Sequence, residues 1–322
     1  MGHDLAVLGD LVADLVVPIE RLPLLPDNHG WAEGIFVEPG GAGNVLVAAR
    51  RLQLATVALG HVGPDRYGAD LLAMLDGEGI DTSETAVCSD RTTVLCIVLS
   101  DTFGQHVYLG IKDAIGTWPF LERWHAVIRN ARAFYSDGYT LRDILVPDAV
   151  FAAFATARAA GVPTFFDPGP SIEFISRPVM ERAIALADVL LLTMPEASML
   201  CGNLGDVEMA AALLDLGATT VVLKLGAAGC LVAAAKEMVR VPGFPVEVVD
   251  TVGAGDSFAP AFIAGWIRGG NLGNCATLAN AMGALTVTQR GAGTRIPARE
   301  RLQAMLAGHP DALRLSGDGV TG

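Results

Sequence analysis

The sequence predicts an α/β fold with three layers, α/β/α, a mostly parallel central sheet and a small β lid. Three observations carry that expectation. Apolar runs of strand length alternate with amphipathic helical stretches along most of the chain, which is the pattern of parallel βαβ units. Most of these runs are apolar at successive positions, as strands covered by helices on two faces must be. Two stretches, 11–38 and 91–112, break the rhythm with extended, helix-poor sequence.

The elements follow in order. "LAVLG" (5–9) opens as a strand. Residues 11–38 hold Pro-punctuated extended pieces that run into "WAEGIFVEPGG". The helical "NVLVAARRLQ" precedes the strand "ATVALGHVG" (55–63). Residues 91–112 read as a hairpin with alternating strands and the turn "SDTFGQ". Further strands are expected at "ARAFYSDG" (131–138), "VPTFFDPG" (162–169), "DVLLLTMPE" (188–196), "TTVVLKLG" (219–226) and "FPVEVVDT" (244–251). The expected organisation is a core of 1–10, 39–90 and 113–322. The excursions 11–38 and 91–112 pair over it as a lid. The segment from Pro310 reads as a frayed end.

With 322 residues, 52% of them hydrophobic, the chain can bury a large core. A net charge of −13 argues against nucleic acid or an anionic membrane as partner. The five cysteines are scattered and form no C-x-x-C, which fits a reducing cytosol and neither a disulfide framework nor a zinc site. The opening "MGHDLAVLGD" lacks the basic flank and long apolar core of a signal peptide, and no apolar run reaches membrane length. The expectation is a soluble, cytoplasmic protein.

The chemistry is concentrated in "VVDTVGAGDSFAPAF" (248–262). An apolar run meets small residues and an acid where a helix begins. Helix N-termini carry unpaired N–H groups and partial positive charge, so this reads as an anion cradle with a carboxylate on its rim. No G-x-x-x-x-G-K-[ST] is present, and no G-x-G-x-x-G follows the first strand, which excludes a P-loop and disfavours a nicotinamide dehydrogenase. An isolated Gly-x-Gly is most often only a tight turn with its Asp as a cap.

A second segment changes that weighting. Together, "EPGGAGNVLVAARRLQLATVALGHVG" (38–63) and "DTVGAGDSFAPAF" (250–262) resemble the two signature segments of the ribokinase/PfkB family of sugar and nucleoside kinases. The resemblance runs from "GDLVAD" near the start to "RGAGT" (290–294). It implies a ribokinase-like fold and ATP-dependent phosphorylation of a sugar hydroxyl. Asp256 would take the acceptor's proton, with the amides at Gly253, Ala254 and Gly255 as anion hole. At a helix N-terminus Asp256 is expected to be a weak base. Asp14, Gly40, Gly41 and Asn44 match the acceptor site. Lys224, Gly226 and Gly229 match the nucleotide loop, and Asn280 and Ala284 the helix beside the adenine.

The family's N-x-x-E motif, which organises Mg2+ through water, stands here as "TMPE" (193–196), so the resemblance leaves Glu196 to hold the metal's waters and Thr193 in place of Asn. Asp250, the Val252 carbonyl and "QRGAGT" match the place where many members bind K+ or another monovalent cation. Pro260 is expected to disturb the helix after Asp256. Within the family, a nucleoside kinase is the alternative to a sugar kinase, and Trp31, Phe36 and Tyr108 are the lid aromatics that could stack a base. A non-catalytic sugar- or nucleotide-sensing protein on the same fold is a further alternative. "DPGPS" (167–171) stands at a strand end where some relatives place acceptor or nucleotide contacts, and Arg91 and Lys112 read as solvated surface charges or as contacts for a carboxylated or phosphorylated acceptor. An exposed lid sheet suggests a homodimer.

Overall fold

A computed structural model describes residues 2–27, 29–111 and 117–309. Lys112 and the segment from Pro310 lie outside the described residues. In chain order the strands and helices are β1 (Leu5–Leu8), β2 (Leu11–Pro18), β3 (Phe36–Gly41), α1 (Ala42–Arg51), β4 (Thr56–Leu59), β5 (His61–Val62), α2 (Arg66–Gly77), β6 (Ala86–Val87), β7 (Val94–Ser100) and β8 (His106–Gly110). There follow α3 (Glu122–Arg129), β9 (Phe134–Asp137), α4 (Pro147–Ala159), β10 (Thr164–Asp167), α5 (Arg177–Leu186), β11 (Val189–Thr193), α6 (Met194–Cys201) and α7 (Asp206–Asp215). The chain continues with β12 (Thr220–Lys224), β13 (Cys230–Ala234), β14 (Glu237–Val241), α8 (Ala254–Ile267), α9 (Leu272–Thr286) and α10 (Arg299–Leu306).

The central sheet has eight strands in the order β14-β13-β12-β11-β10-β9-β1-β4. From β12 to β4 the pairs are parallel, and β13 and β14 add an antiparallel edge. Successive strand residues feed opposite cores. Leu5, Val7, Phe165, Leu191 and Val222 pack with α1, α2, α8, α9 and α10. Ala6, Leu8, Phe166, Leu190 and Leu223 pack with α3 to α7. Alternating side chains that are all apolar are what two covering helix layers require.

The second sheet is the lid, β3-β2-β7-β8. The two excursions do pair: β2 runs parallel to β7, with Asp14 opposite Cys96, and antiparallel to β3, with Asp14 opposite Glu38. The hairpin β7-β8 closes with Ser100 opposite His106. β3 passes directly into α1 at Gly41, so the lid is joined to the core at Gly40 and Gly41. Among the described residues no helix is long and apolar enough to cross a membrane.

Two expectations need correction. "FPVEVVDT" is not a strand. The segment is extended but unpaired, Val248 is 57% exposed, and only the Val249 and Asp250 amides find a common carbonyl, that of Val287. Pro245 removes a ladder donor, and the segment does not pair with β14, the terminal strand that precedes it. The β13-β14 hairpin was missed because its turn, Ala235-Lys236, carries neither Gly, Asn nor Pro. Pro260, by contrast, is accommodated: α8 runs unbroken from Ala254 to Ile267 with Pro260 buried inside it.

Candidate active site

The sheet register lines up polar groups at one edge. Asp137 ends β9 opposite Asp167 at the end of β10, and Thr193 ends β11 opposite Lys224 at the end of β12. Asp10 lies two residues beyond β1, the neighbour of β9. In a parallel sheet these C-terminal ends share one edge, where ligands bind. The lid stands over it and contributes Asp14. Between them is a cavity of 680 Å3 lined by Asp10, Asp14, Asn44, Tyr108, Asp137, Tyr139, Arg142, Asp167, Glu196, Lys224, Gly253, Gly255 and Asp256, among others.

Asp256 lies in the first turn of α8, whose N-cap is Gly253 with φ +72°. A β-carbon at Gly253 would stand 2.6 Å from Ala292 Cβ, so the left-handed turn and its contact both demand glycine. Asn44 Nδ2 donates to Asp256 Oδ2 (2.8 Å), and the Gly293 N–H donates to Asn44 Oδ1 (2.7 Å). Burial pushes the Asp256 carboxyl up to about 6, against the Asn44 hydrogen bond, with Asp167 raising it and Lys224 lowering it. Desolvation thus acts against the weak base that the helix terminus alone implies.

Lys224 Nζ pairs with Asp167 Oδ2 (2.7 Å), and a β-carbon at Gly255 would come within 3.5 Å of the same ammonium. This places a buried cation beside the small-residue turn. Asp14 is pushed up to about 7 by burial, then by Asp256 and Glu38. Its carboxylate packs on the backbone at Gly40, where any β-carbon would overlap it. Gly41 precedes α1 as its N-cap.

Thr193 and Glu196 form a capping box on α6: the Thr193 N–H donates to Glu196 Oε2 (2.7 Å) and the Glu196 N–H to Thr193 Oγ1 (3.4 Å). The T-x-x-E spacing is legible in sequence. The pair uses Oε2 of Glu196, a residue that also lines the cavity, and a carboxylate oxygen is a hard acceptor of the kind that holds magnesium-bound water. Asp250 is different. His106 Nε2 lies 3.1 Å from its Oδ1, which also accepts from the Val252 N–H (2.9 Å), and Oδ2 accepts from the Gly291 N–H (2.8 Å). The lid histidine thus takes up the Oδ1 side of the carboxylate that a monovalent cation would share.

The remaining candidates are scattered. Gly226 and Gly229 bound the short turn after β12. Asn280 Nδ2 donates to the Val241 and Pro242 carbonyls (both 3.1 Å), tying α9 to β14. Neither these residues nor Ala284 line the cavity. Trp31 is 87% exposed. Phe36 lies under the Arg295 guanidinium and lines a separate 160 Å3 cavity with His106 and Asp250. Of the three lid aromatics, Tyr108 alone faces the main cavity. Arg91 is spent on the Thr117 carbonyl (2.7 Å) and the Trp118 ring. Asp167, Gly169 and Pro170 of "DPGPS" do line the cavity.

Sequence reading missed Asp10, Asp137, Tyr139, Arg142 and Asp143. The available signal was an acid ending an apolar strand, "FYSD" like "TFFD".

The profile described as pfkB family carbohydrate kinase matches residues 3–299. The chain is 31% identical over 287 residues to the ATP-dependent ribose-1-phosphate kinase of Halopiger xanaduensis, covering 88% of this chain and 92% of that one. It is 26% identical over 298 residues to the nucleoside kinase of Methanothermobacter thermautotrophicus, covering 92% and 93%. Among solved structures, Arabidopsis thaliana ribokinase complexed with ribose and ATP superposes with a TM-score of 0.80 at 25% identity, covering 95% of this chain and 99% of that one.

Proposed function

The chain belongs to the pfkB family of carbohydrate kinases, phosphotransferases with an alcohol acceptor, and on that premise we propose that it transfers the γ-phosphoryl group of ATP to a hydroxyl of a sugar or sugar-like molecule held beneath the lid. The observation that carries this reading is Asp256: a buried carboxylate oriented by Asn44 at the head of α8, one residue past the small-residue turn, in the same cavity as Asp14.

Each group then has a task. Asp14 and Asn44, with the backbone at Gly40 and Gly41, hold acceptor hydroxyls. A carboxylate accepts from two hydroxyls, and an amide both donates and accepts. Asp256 orients the reacting hydroxyl and takes its proton as the O–P bond forms. With its carboxyl pushed up only to about 6 it is ionised at neutral pH and still basic enough to serve. The amides at Gly253, Ala254 and Gly255 stabilise negative charge on the phosphoryl group, helped by Lys224. Lys224, Gly226 and Gly229 attend the nucleotide phosphates, and Asn280 and Ala284 border the adenine. Glu196 holds the waters of Mg2+, which when bound neutralises phosphate charge.

A sugar kinase is the first reading. Tyr108 and Tyr139 on the cavity wall favour a nucleoside acceptor as the second, because each offers a ring to a base. Five unpaired cysteines suit a cytoplasmic setting. Lid residues Ile35, Phe103, Val107 and Leu109 are exposed apolar groups, which suits a homodimer built on the lid. The test is ADP release from ATP and Mg2+ with a panel of sugars, amino sugars, sugar phosphates and nucleosides. Turnover with at least one acceptor, abolished in Asp256→Asn, is expected. ATP binding without acceptor-dependent ADP release across the panel would leave the non-catalytic alternative.

A further inference from the structure

Asp10 and Asp137 lie at the ends of adjacent parallel strands, are both about 8% exposed, and line the cavity. The Asp137 carboxylate lies against the backbone of Gly9, where a β-carbon would stand 3.2 Å from its Oδ2, and Asp10 is the next residue. Asp10 Oδ1 is buried and receives no hydrogen bond from the protein. Asp137 Oδ1 accepts from the Thr140 N–H (2.8 Å).

Among the described residues no cation serves this pair. The two cationic side chains lining the cavity are committed elsewhere, Lys224 to Asp167 (2.7 Å) and Arg142 to Asp143 (3.1 Å). Two buried carboxyls without a counter-charge are costly when ionised, and the side open to the cavity is where a counter-charge can arrive.

We propose that Asp10 and Asp137 form an acceptor subsite for a protonated amino group, so that the favoured acceptor is an amino-bearing polyol such as an amino sugar. This rests on the kinase reading above. An ammonium supplies charge and three donors, enough for both carboxyls. A hydroxyl supplies no charge. The ammonium has no lone pair and is not the nucleophile; the phosphoryl group still goes to a hydroxyl at Asp256.

Burial favours the protonated form of both carboxyls. Burial raises both carboxyls, Asp137 to about 7, and the charges facing them are Asp14 from the lid, Asp256 from α8 and Asp167 from β10, with Tyr135 and Tyr139 beside them. An arriving ammonium expels a proton.

Isothermal titration with three matched pairs tests this: glucosamine against glucose, galactosamine against galactose, and 2-amino-1,3-propanediol against glycerol. Titrations at about pH 6, in two buffers of different ionisation enthalpy, report proton release. At least one amine is expected to bind roughly tenfold or more tightly than its neutral partner and to release protons. Asp10→Asn and Asp137→Asn should each remove both effects. Circular dichroism identifies a variant that fails to fold, and the wild-type comparison stands without either. Neutral partners binding as well as the amines, an amine preference that survives both substitutions, or no binding in any pair overturns the subsite. Turnover of neutral acceptors alone would overturn it while leaving the kinase reading intact.

Discussion

Asn44 Nδ2 donates to Asp256 Oδ2 at 2.8 Å, bridging 212 residues of chain, while Asn44 Oδ1 accepts from the Gly293 N–H at 2.7 Å. One amide thus joins the start of α1, the head of α8 and the loop after α9. It fixes the direction of the carboxylate and lowers its proton affinity.

Asp256→Asn should keep the fold and ATP binding while kcat falls by about a hundredfold or more. In the native enzyme kcat/KM should rise as pH climbs through about 6, where Asp256 ionises. Asn44→Ala removes a bond that favours the ionised form, so the acidic limb should move to higher pH. An unmoved limb in a folded Asn44→Ala variant would show that another group controls it.

Asp14 comes from the lid and lines the same cavity as Asp256. Asp14→Ala should raise the acceptor KM strongly and leave the ATP KM within a small factor. Initial-rate measurements with each substrate varied separately check this. A shift in the ATP constant instead would place Asp14 at the nucleotide.

Glu196→Gln should raise the magnesium needed for half-maximal rate and lower kcat. Thr193→Ala should act on stability, because it deletes half of the capping box, a loss of about 1 kcal/mol. A magnesium titration beside a thermal melt separates the two. Equal magnesium dependence in both variants would make Thr193 a working member of the metal's water shell.

His106 occupies the carboxylate that a monovalent cation would need. Turnover should therefore be the same in potassium and tetramethylammonium salts at equal ionic strength. His106→Ala frees Asp250 Oδ1 from its lid partner, and a potassium response should then appear. Strong potassium activation of the unmodified enzyme would contradict the fit argued for Asp250.

Asp14, Asp137 and Asp256 rise from an ordinary 3.8 to about 7, 7 and 6 in the folded chain. Between about pH 4 and 7 the folded state binds more protons than the unfolded one, so these groups stabilise it at low pH and that contribution is lost as pH rises. Melting of the ligand-free protein should show this decline, and Asp137→Asn should flatten it. A melting temperature that climbs across the window in both proteins would count against raised values.

Much of the fold was legible because burial on two faces leaves long apolar runs, and glycine at a left-handed turn such as Gly253 cannot be disguised. The lid pairing was legible for the opposite reason: residues 11–38 and 91–112 lack a helical period and each needs a strand partner. "FPVEVVDT" shows the limit. Its pattern suits a strand, but pairing depends on where the chain runs in space, and the segment leaves β14 without pairing with it.

The site divides in the same way. The chain by itself made the small-residue turn and Asp256 legible, because an acid after such a turn at a helix start has a mechanical reason, whereas Asn44 and Asp14 came only from the resemblance to the kinase family. Only the tertiary structure decided that Asp10, Asp137 and Asp167 share one edge, that His106 reaches Asp250, and that Asp256 is a stronger base than its helix position implies. Those are consequences of sheet register and burial. Strand pairing joins residues far apart in sequence, and the desolvation that sets their charge depends on every layer packed around them.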